Sequence, residues 1–169
     1  MGPSKEHLAR MLDFMRWGDG QMIVAARSVS DPGYYREQGM SLGSIHKLLV
    51  HAMAAQWMWL CRWRGESPER IESSEDYPTR QDMEQRWPLV HAALFDFFGQ
   101  QSARTLERNV EYRNSKGEVF SLPLYELMLH VIDHATYHRG QLNSMIKRAG
   151  GTPAAVSYQL YVVHKARHL

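Results

Sequence analysis

Cysteine is almost missing from this 169-residue chain; Cys61 stands alone. A single thiol excludes an internal disulfide and any metal site built from cysteine clusters, and it suits a reducing compartment. Long apolar runs are missing too. The most apolar segment, 48–61, is interrupted by His51 and Gln56 and is too short to span a bilayer. The opening MGPSKEHLAR lacks the apolar stretch and small-residue cleavage site of a secretory signal. These absences point to the cytoplasm and away from the membrane. No block of like charge exists either: Lys plus Arg number 20 and Asp plus Glu 18, a formal net charge of +2. Nucleic acid needs a basic face, and none is visible. Internal repeats and low-complexity stretches are likewise absent.

What is present is enough apolar residue, 44% of the chain, to give residues 1–169 one ordinary core in one domain. Nine histidines, 10 methionines and 5 tryptophans direct the search, because histidine ligates metals while Met and Trp build adaptable apolar walls.

Apolar periodicity places a first helix over 5–29, ended by SDPG, with Gly18 and Gly20 costing about 1 kcal/mol each relative to Ala if the helix runs through them. A second helix starts near Ser41 and ends at Gly65. Residues 65–79 are a polar loop. Thr79 with Asp82 resembles a capping box opening a third helix, 80–106, in which Pro88 introduces a kink. Residues 109–122 change to period two around the turn NSKG and read as a short hairpin. Pro123 opens a fourth helix that reaches Ala149, and the tail SYQLYVVHKARHL reads as a strap or short helix. Four long amphipathic segments bury their stripes on one another most economically as an all-α four-helix bundle, with long connections and a hairpin before the last long helix.

In DHATYHRGQL, residues 133–142, His134 and His138 stand one turn apart, within the stripe of Leu127, Val131, Leu142 and Met145. That i, i+4 spacing is how helical histidine pairs grip one ion. His130 continues the series, but it lies about 12 Å of axial rise from His138, so the three do not share one ion. A third ligand must come from another helix. His51 lies at the edge of the second helix's apolar face, whereas His91 sits squarely among Trp87, Leu94, Phe95 and Phe98, and periodicity prefers His91. His46 points elsewhere. Arg139 projects about 100° from His138 and reads either as a surface or capping guanidinium or as an anionic-substrate contact. Gln141 shares the ligand face and either holds a ligand or packs; Gly140 suits close helix packing. Trp57, Met58, Trp59 and Trp63 read as core and dimer surface.

HVIDHATYHRGQL at 130–142, SLGSIHKLLVHAMAAQWMWLCRWRG at 41–65 and MLDFMRWGDGQMIVAA at 11–26 together resemble the DinB-like metalloproteins. That four-helix-bundle superfamily includes the bacillithiol- and mycothiol-dependent transferases. The resemblance implies a three-histidine metal site of His51, His134 and His138 and leaves His91 to the core; His130, Arg139 and Gln141 stay, on their place along the helix, as candidate supporting or substrate-contacting residues. Relatives often carry an acidic residue where this chain has Gln56. The cofactor implied is a divalent metal ion, zinc or nickel, and a low-molecular-weight thiol is the implied co-substrate. The expected chemistry is S-transfer to a small electrophile by a homodimer. The alternatives are a hydrolase using hydroxide on the metal and a non-catalytic bundle that binds metal for stability or sensing.

Overall fold

The computed structural model describes residues 2–114 and 116–167. Four long helices carry the chain: α1 (Lys5–Ala26), α3 (Ile45–Trp63), α4 (Arg80–Gly99) and α6 (Leu124–Arg148). Between and after them come α2 (Asp31–Tyr35), α5 (Ala103–Leu106), a hairpin of β1 (Asn109–Arg113) and β2 (Val119–Pro123), and α7 (Tyr158–Ala166). In the bundle α3 packs on both α4 and α6, α6 packs on α1, and the α1–α4 seam is the thinnest.

Helices α1, α3, α4, α5 and α7 start where a side chain takes up a free backbone N–H, whereas α2 and α6 open at proline-containing turns without one. Ser4 and Ser44 accept from His7 and Lys47, at 3.2 and 3.1 Å. Thr79 and Asp82 form the reciprocal box that the sequence announces. The third helix does not reach residue 106, however. It ends at Gly99, and Ser102 starts the separate α5 by accepting from the Thr105 N–H. A hydroxyl that caps competes with continued helix at its own position. Pro88 lies inside α4, which runs through it.

The first helix also stops short, at Ala26, and SDPG opens α2 with its proline in the first turn. The second helix begins at Ser44 rather than Ser41, because the preceding loop turns through positive φ at Gly39, Ser41 and Gly43. Ser41, at φ 52°, is the one non-glycine residue in that region among those described.

The hairpin pairs Val110 with Leu122 and Tyr112 with Phe120, so these four side chains share the face toward the helices. Its turn is closed by Asn114, whose side-chain oxygen accepts from the Lys116 and Glu118 N–H groups. Ser115 of that turn, and His168 and Leu169 of the tail, lie outside the described residues. The tail is helical as α7, docked on α1 through Tyr161, whose hydroxyl donates to Asp13 at 2.9 Å.

The core runs along the bundle axis through Leu8, Met15, Met53, Trp63, Trp87, Val131 and Met145. Each such buried side chain contributes about 1.5–3 kcal/mol relative to an exposed one. Trp59 and Trp63 belong to this core, while Trp57 and Met58 are half-buried at its margin. No helix among the described residues is long and apolar enough to cross a membrane.

Candidate metal centre

His134 and His138 project from consecutive turns of α6, and His51 from the second turn of α3 meets them where the two helices pack. One donor nitrogen from each lies within 4.8 Å of the other two. The rings of His134 and His138 are 4.3 Å apart between centroids, and that of His51 stands 5.4 and 4.9 Å from them. His138 is buried and the other two are half-buried.

The direction of the His138 lone pair follows from hydrogen bonding. His138 Nδ1 lies 2.8 Å from the Gln141 side-chain oxygen. That oxygen also accepts from Ser41 Oγ at 3.0 Å, while the Gln141 amide nitrogen donates to the Tyr137 hydroxyl at 2.9 Å. With an acceptor fixed at Nδ1, the proton sits there and His138 Nε2 keeps its lone pair. Nε2 points at His134 Nε2, 3.0 Å away. Two nitrogens each about 2.0–2.1 Å from one ion stand roughly 3.0–3.4 Å apart, so the pair already has the spacing of neighbouring ligands. A ligating imidazole ordinarily gives its other N–H to an oxygen, and Gln141 provides that oxygen.

All three rings resist protonation. Burial lowers the His51, His134 and His138 pKa values, and in His134 repulsion from His138, His51 and His130 adds to burial and brings it to about 4. At neutral pH the cluster therefore presents lone pairs and no charge. No carboxylate belongs to it, so a divalent cation there would keep its full charge. The donor set fits a divalent transition metal of the kind imidazole nitrogen binds, zinc and nickel among them.

His91, preferred by periodicity, is buried but joins a different group. Its Nε2 lies 3.1 Å from Asp19 on α1. The same Asp19 oxygen accepts from the Gln56 amide at 2.7 Å, and Gln56 in turn accepts from the Trp87 indole at 3.0 Å. Arg139 completes this cluster. It is 2% exposed, so it is neither a surface nor a capping residue, and it faces Asp19 rather than the triad. One guanidinium nitrogen, Nη1, lies 3.5 Å from Asp19, the other donates to Thr136 at 2.6 Å, and the plane sits over Phe14.

Nothing in the reading of the sequence joined these residues, although the signal was there. Asp19 falls four after Met15 and three before Met22, and Gln56 falls between Met53 and Trp59, so both are polar residues inside apolar stripes. Gly18 is the close-approach glycine here: a Cβ on it would stand 2.9 Å from Arg139 Cδ and Nε. Gly140 has open space at that point, so the expected packing role is absent.

His130 stands outside the triad, exposed, its ring 6.0 Å from His134 and 5.0 Å from Trp59. His46 is occupied elsewhere, between the Tyr34 hydroxyl and the Tyr77 carbonyl.

A helical bundle with this hairpin and a histidine cluster between two of its helices defines a class, and comparison with known proteins gives its name. The sequence matches the DinB family over residues 2–167; the chain belongs to that family. It is 22% identical to Protein DinB of Bacillus subtilis (strain 168) over 160 residues, which cover 90% of this chain and 92% of that protein. Its fold resembles the crystal structure of a DinB-like protein from Bacillus cereus ATCC 10987, with a TM-score of 0.66 at 16% identity, covering 87% of this chain and 95% of that one.

Proposed function

We propose that His51, His134 and His138 hold a divalent metal ion, zinc or nickel, and that the protein is an enzyme joining a low-molecular-weight thiol to a small electrophile. The observation that carries this reading is the cluster itself: three neutral imidazoles from two helices, with donor atoms within 4.8 Å and no carboxylate among them. A cation bound there supplies uncompensated positive charge and an open position, which keeps a thiol in its thiolate form at neutral pH.

The chain's own residues do the rest. Gln141, braced by Ser41 and Tyr137, holds the His138 ring so that Nε2 faces the cluster. The half-burial of His51 and His134 leaves one side of the cluster open to small molecules and limits water on the other. In the transfer the thiolate sulfur forms a bond to the electrophilic carbon, the leaving group departs with its bonding electrons, and the thiol proton passes to solvent.

Metal analysis of the purified protein beside a His51→Ala variant tests the ligand set, with metal expected only in the parent. Turnover of a thiol with a chromogenic electrophile, measured with and without chelator, tests the activity. Turnover indifferent to chelation would remove the reading. Ester turnover that needs no thiol would replace it with metal-dependent hydrolysis, and metal uptake with no turnover would leave a sensing or structural bundle. We place the enzyme in the cytoplasm, where reducing conditions suit the buried Cys61 thiol. A homodimer is part of the same reading, supported by the exposed apolar residues Tyr158, Leu160, Val162 and Val163 of α7. Sedimentation giving a monomer at micromolar concentration would exclude it.

A further inference from the structure

Beside the triad, between the hairpin, α3 and α6, lies a cleft of about 1120 Å³ that none of the three histidines lines. Its walls are mostly apolar. Tyr112 and Phe120, opposite each other across the hairpin, stack at 5.6 Å with their planes 21° apart, and Tyr112 meets the Trp59 ring edge-on at 4.9 Å. Phe120 and Leu122 are 40% and 41% exposed on this wall, so flat apolar surface remains for a ligand to cover. The ring contacts continue from Trp59 to His130 and from His130 to His134, so the cleft ends one ring away from the triad.

One cation in the cleft is held differently from the others. Arg70 is neutralised by a two-pronged pair with Asp76, and Arg113 is exposed. Arg62 is half-buried, its guanidinium 4.6 Å from the Trp59 ring centroid and 5.3 Å from that of Tyr112. One nitrogen donates to the Arg113 carbonyl at 3.1 Å, and among the described residues no carboxylate pairs with it. The carboxylates that line the cleft, Glu69 and Glu126, are both exposed. A guanidinium drawn partly out of water and set against two aromatic rings, with donors still free, is built to receive a planar anion such as a carboxylate.

We propose that this cleft binds a small molecule with a flat, apolar body and one anionic group, the body against Tyr112, Phe120 and Leu122 and the anion on Arg62. Taken with the catalytic reading, on which this part rests, that molecule is the electrophile, and His130 marks the side on which its reactive carbon faces the triad. Binding itself needs no metal.

The test is a tryptophan-fluorescence titration of the full chain with 2-naphthoate and with its uncharged isostere 2-naphthylmethanol. Naphthoate is expected to bind about tenfold or more tightly than the alcohol. Arg62→Met should bring naphthoate down to the alcohol's affinity and leave the alcohol unchanged, and Tyr112→Ala should weaken both. Equal affinity of the two probes for the parent protein, or a preference that survives Arg62→Met, overturns the proposal, and the first of these needs no variant to fold. The same titration on His134→Ala separates the two readings. Naphthoate binding with no metal taken up by the parent protein would sink the catalytic reading and leave the cleft standing; metal uptake without discrimination between the probes would sink the cleft alone.

Discussion

Two clusters of polar side chains sit in this one bundle, both containing histidine and both between helices, yet they are opposite in electrical design. Around Asp19, a carboxylate meets a guanidinium, an imidazole and an amide, so charge is balanced within the protein although Arg139 Nη1, 3.5 Å from Asp19, makes no hydrogen bond there. In the triad, three imidazoles lowered in pKa face one another with no anion among them, and one nitrogen of each is turned inward. A self-neutralised group tends to hold helices in register. A group of neutral imidazole nitrogens has no such internal counter-charge, and its donor set is one that a cation can share. Histidine content alone does not distinguish the two; the partners do.

The largest expected effect breaks the first cluster. Asp19→Ala leaves the Arg139 guanidinium buried without its counter-charge, which costs about 3–5 kcal/mol and should appear as a large fall in chemical-denaturation midpoint. Metal stoichiometry per folded molecule should be unchanged; joint loss of both would mean that the clusters are one unit. Gly18→Ala strikes the same group by sterics. The new methyl meets Arg139 at 2.9 Å, for an expected loss of about 1–3 kcal/mol, whereas Gly140→Ala, with open space around it, should not destabilise the protein.

Gln141→Ala sharpens the other side. It removes the oxygen that fixes the His138 tautomer, and metal affinity in a competition titration should fall about 10–100-fold with little change in melting temperature. The smallest effect is graded with pH. In metal-free protein the triad histidines bind protons less readily than in the unfolded chain, so from about pH 6.5 down toward 4 the unfolded state takes up more protons. Stability present above pH 6.5 is therefore lost across that window, and His134→Ala should flatten the decline seen in thermal melts. A chelated parent protein as stable at pH 5 as at pH 7 would contradict the assigned protonation.

Much of the fold was legible in local chemistry. The Thr79–Asp82 box, the alternation at Val110 and Tyr112, and Pro123 before α6 each mark a boundary by a property of the residues themselves. Boundaries were missed where a nearby cap competed. Ser44 displaces Ser41 as the start of α3, and Ser102 interrupts what periodicity reads as one helix.

The site was half legible. His134 and His138 share a helix, so their spacing sets their proximity. Their partner was not legible from periodicity, which reports how deep a side chain lies and not which neighbour it meets. His91 is indeed deep, at 8% exposure, and it lies against Asp19; half-buried His51, at the margin of its stripe, lies against the α3–α6 seam. Family resemblance, not helical phase, pointed to His51. Arg139 teaches the same lesson, since its 100° offset from His138 was legible and the carboxylate waiting there was not.

The sequence alone determined the helical stripes, the hairpin and the i, i+4 histidine pair, because each depends on residues close in the chain and on fixed backbone periods. The packing of α3 on α6 and of α1 beside them decided that His51 completes a donor cluster while Gln56, His91 and Arg139 gather around Asp19. Those groupings join residues far apart in the chain, and their distances are set by how whole helices pack.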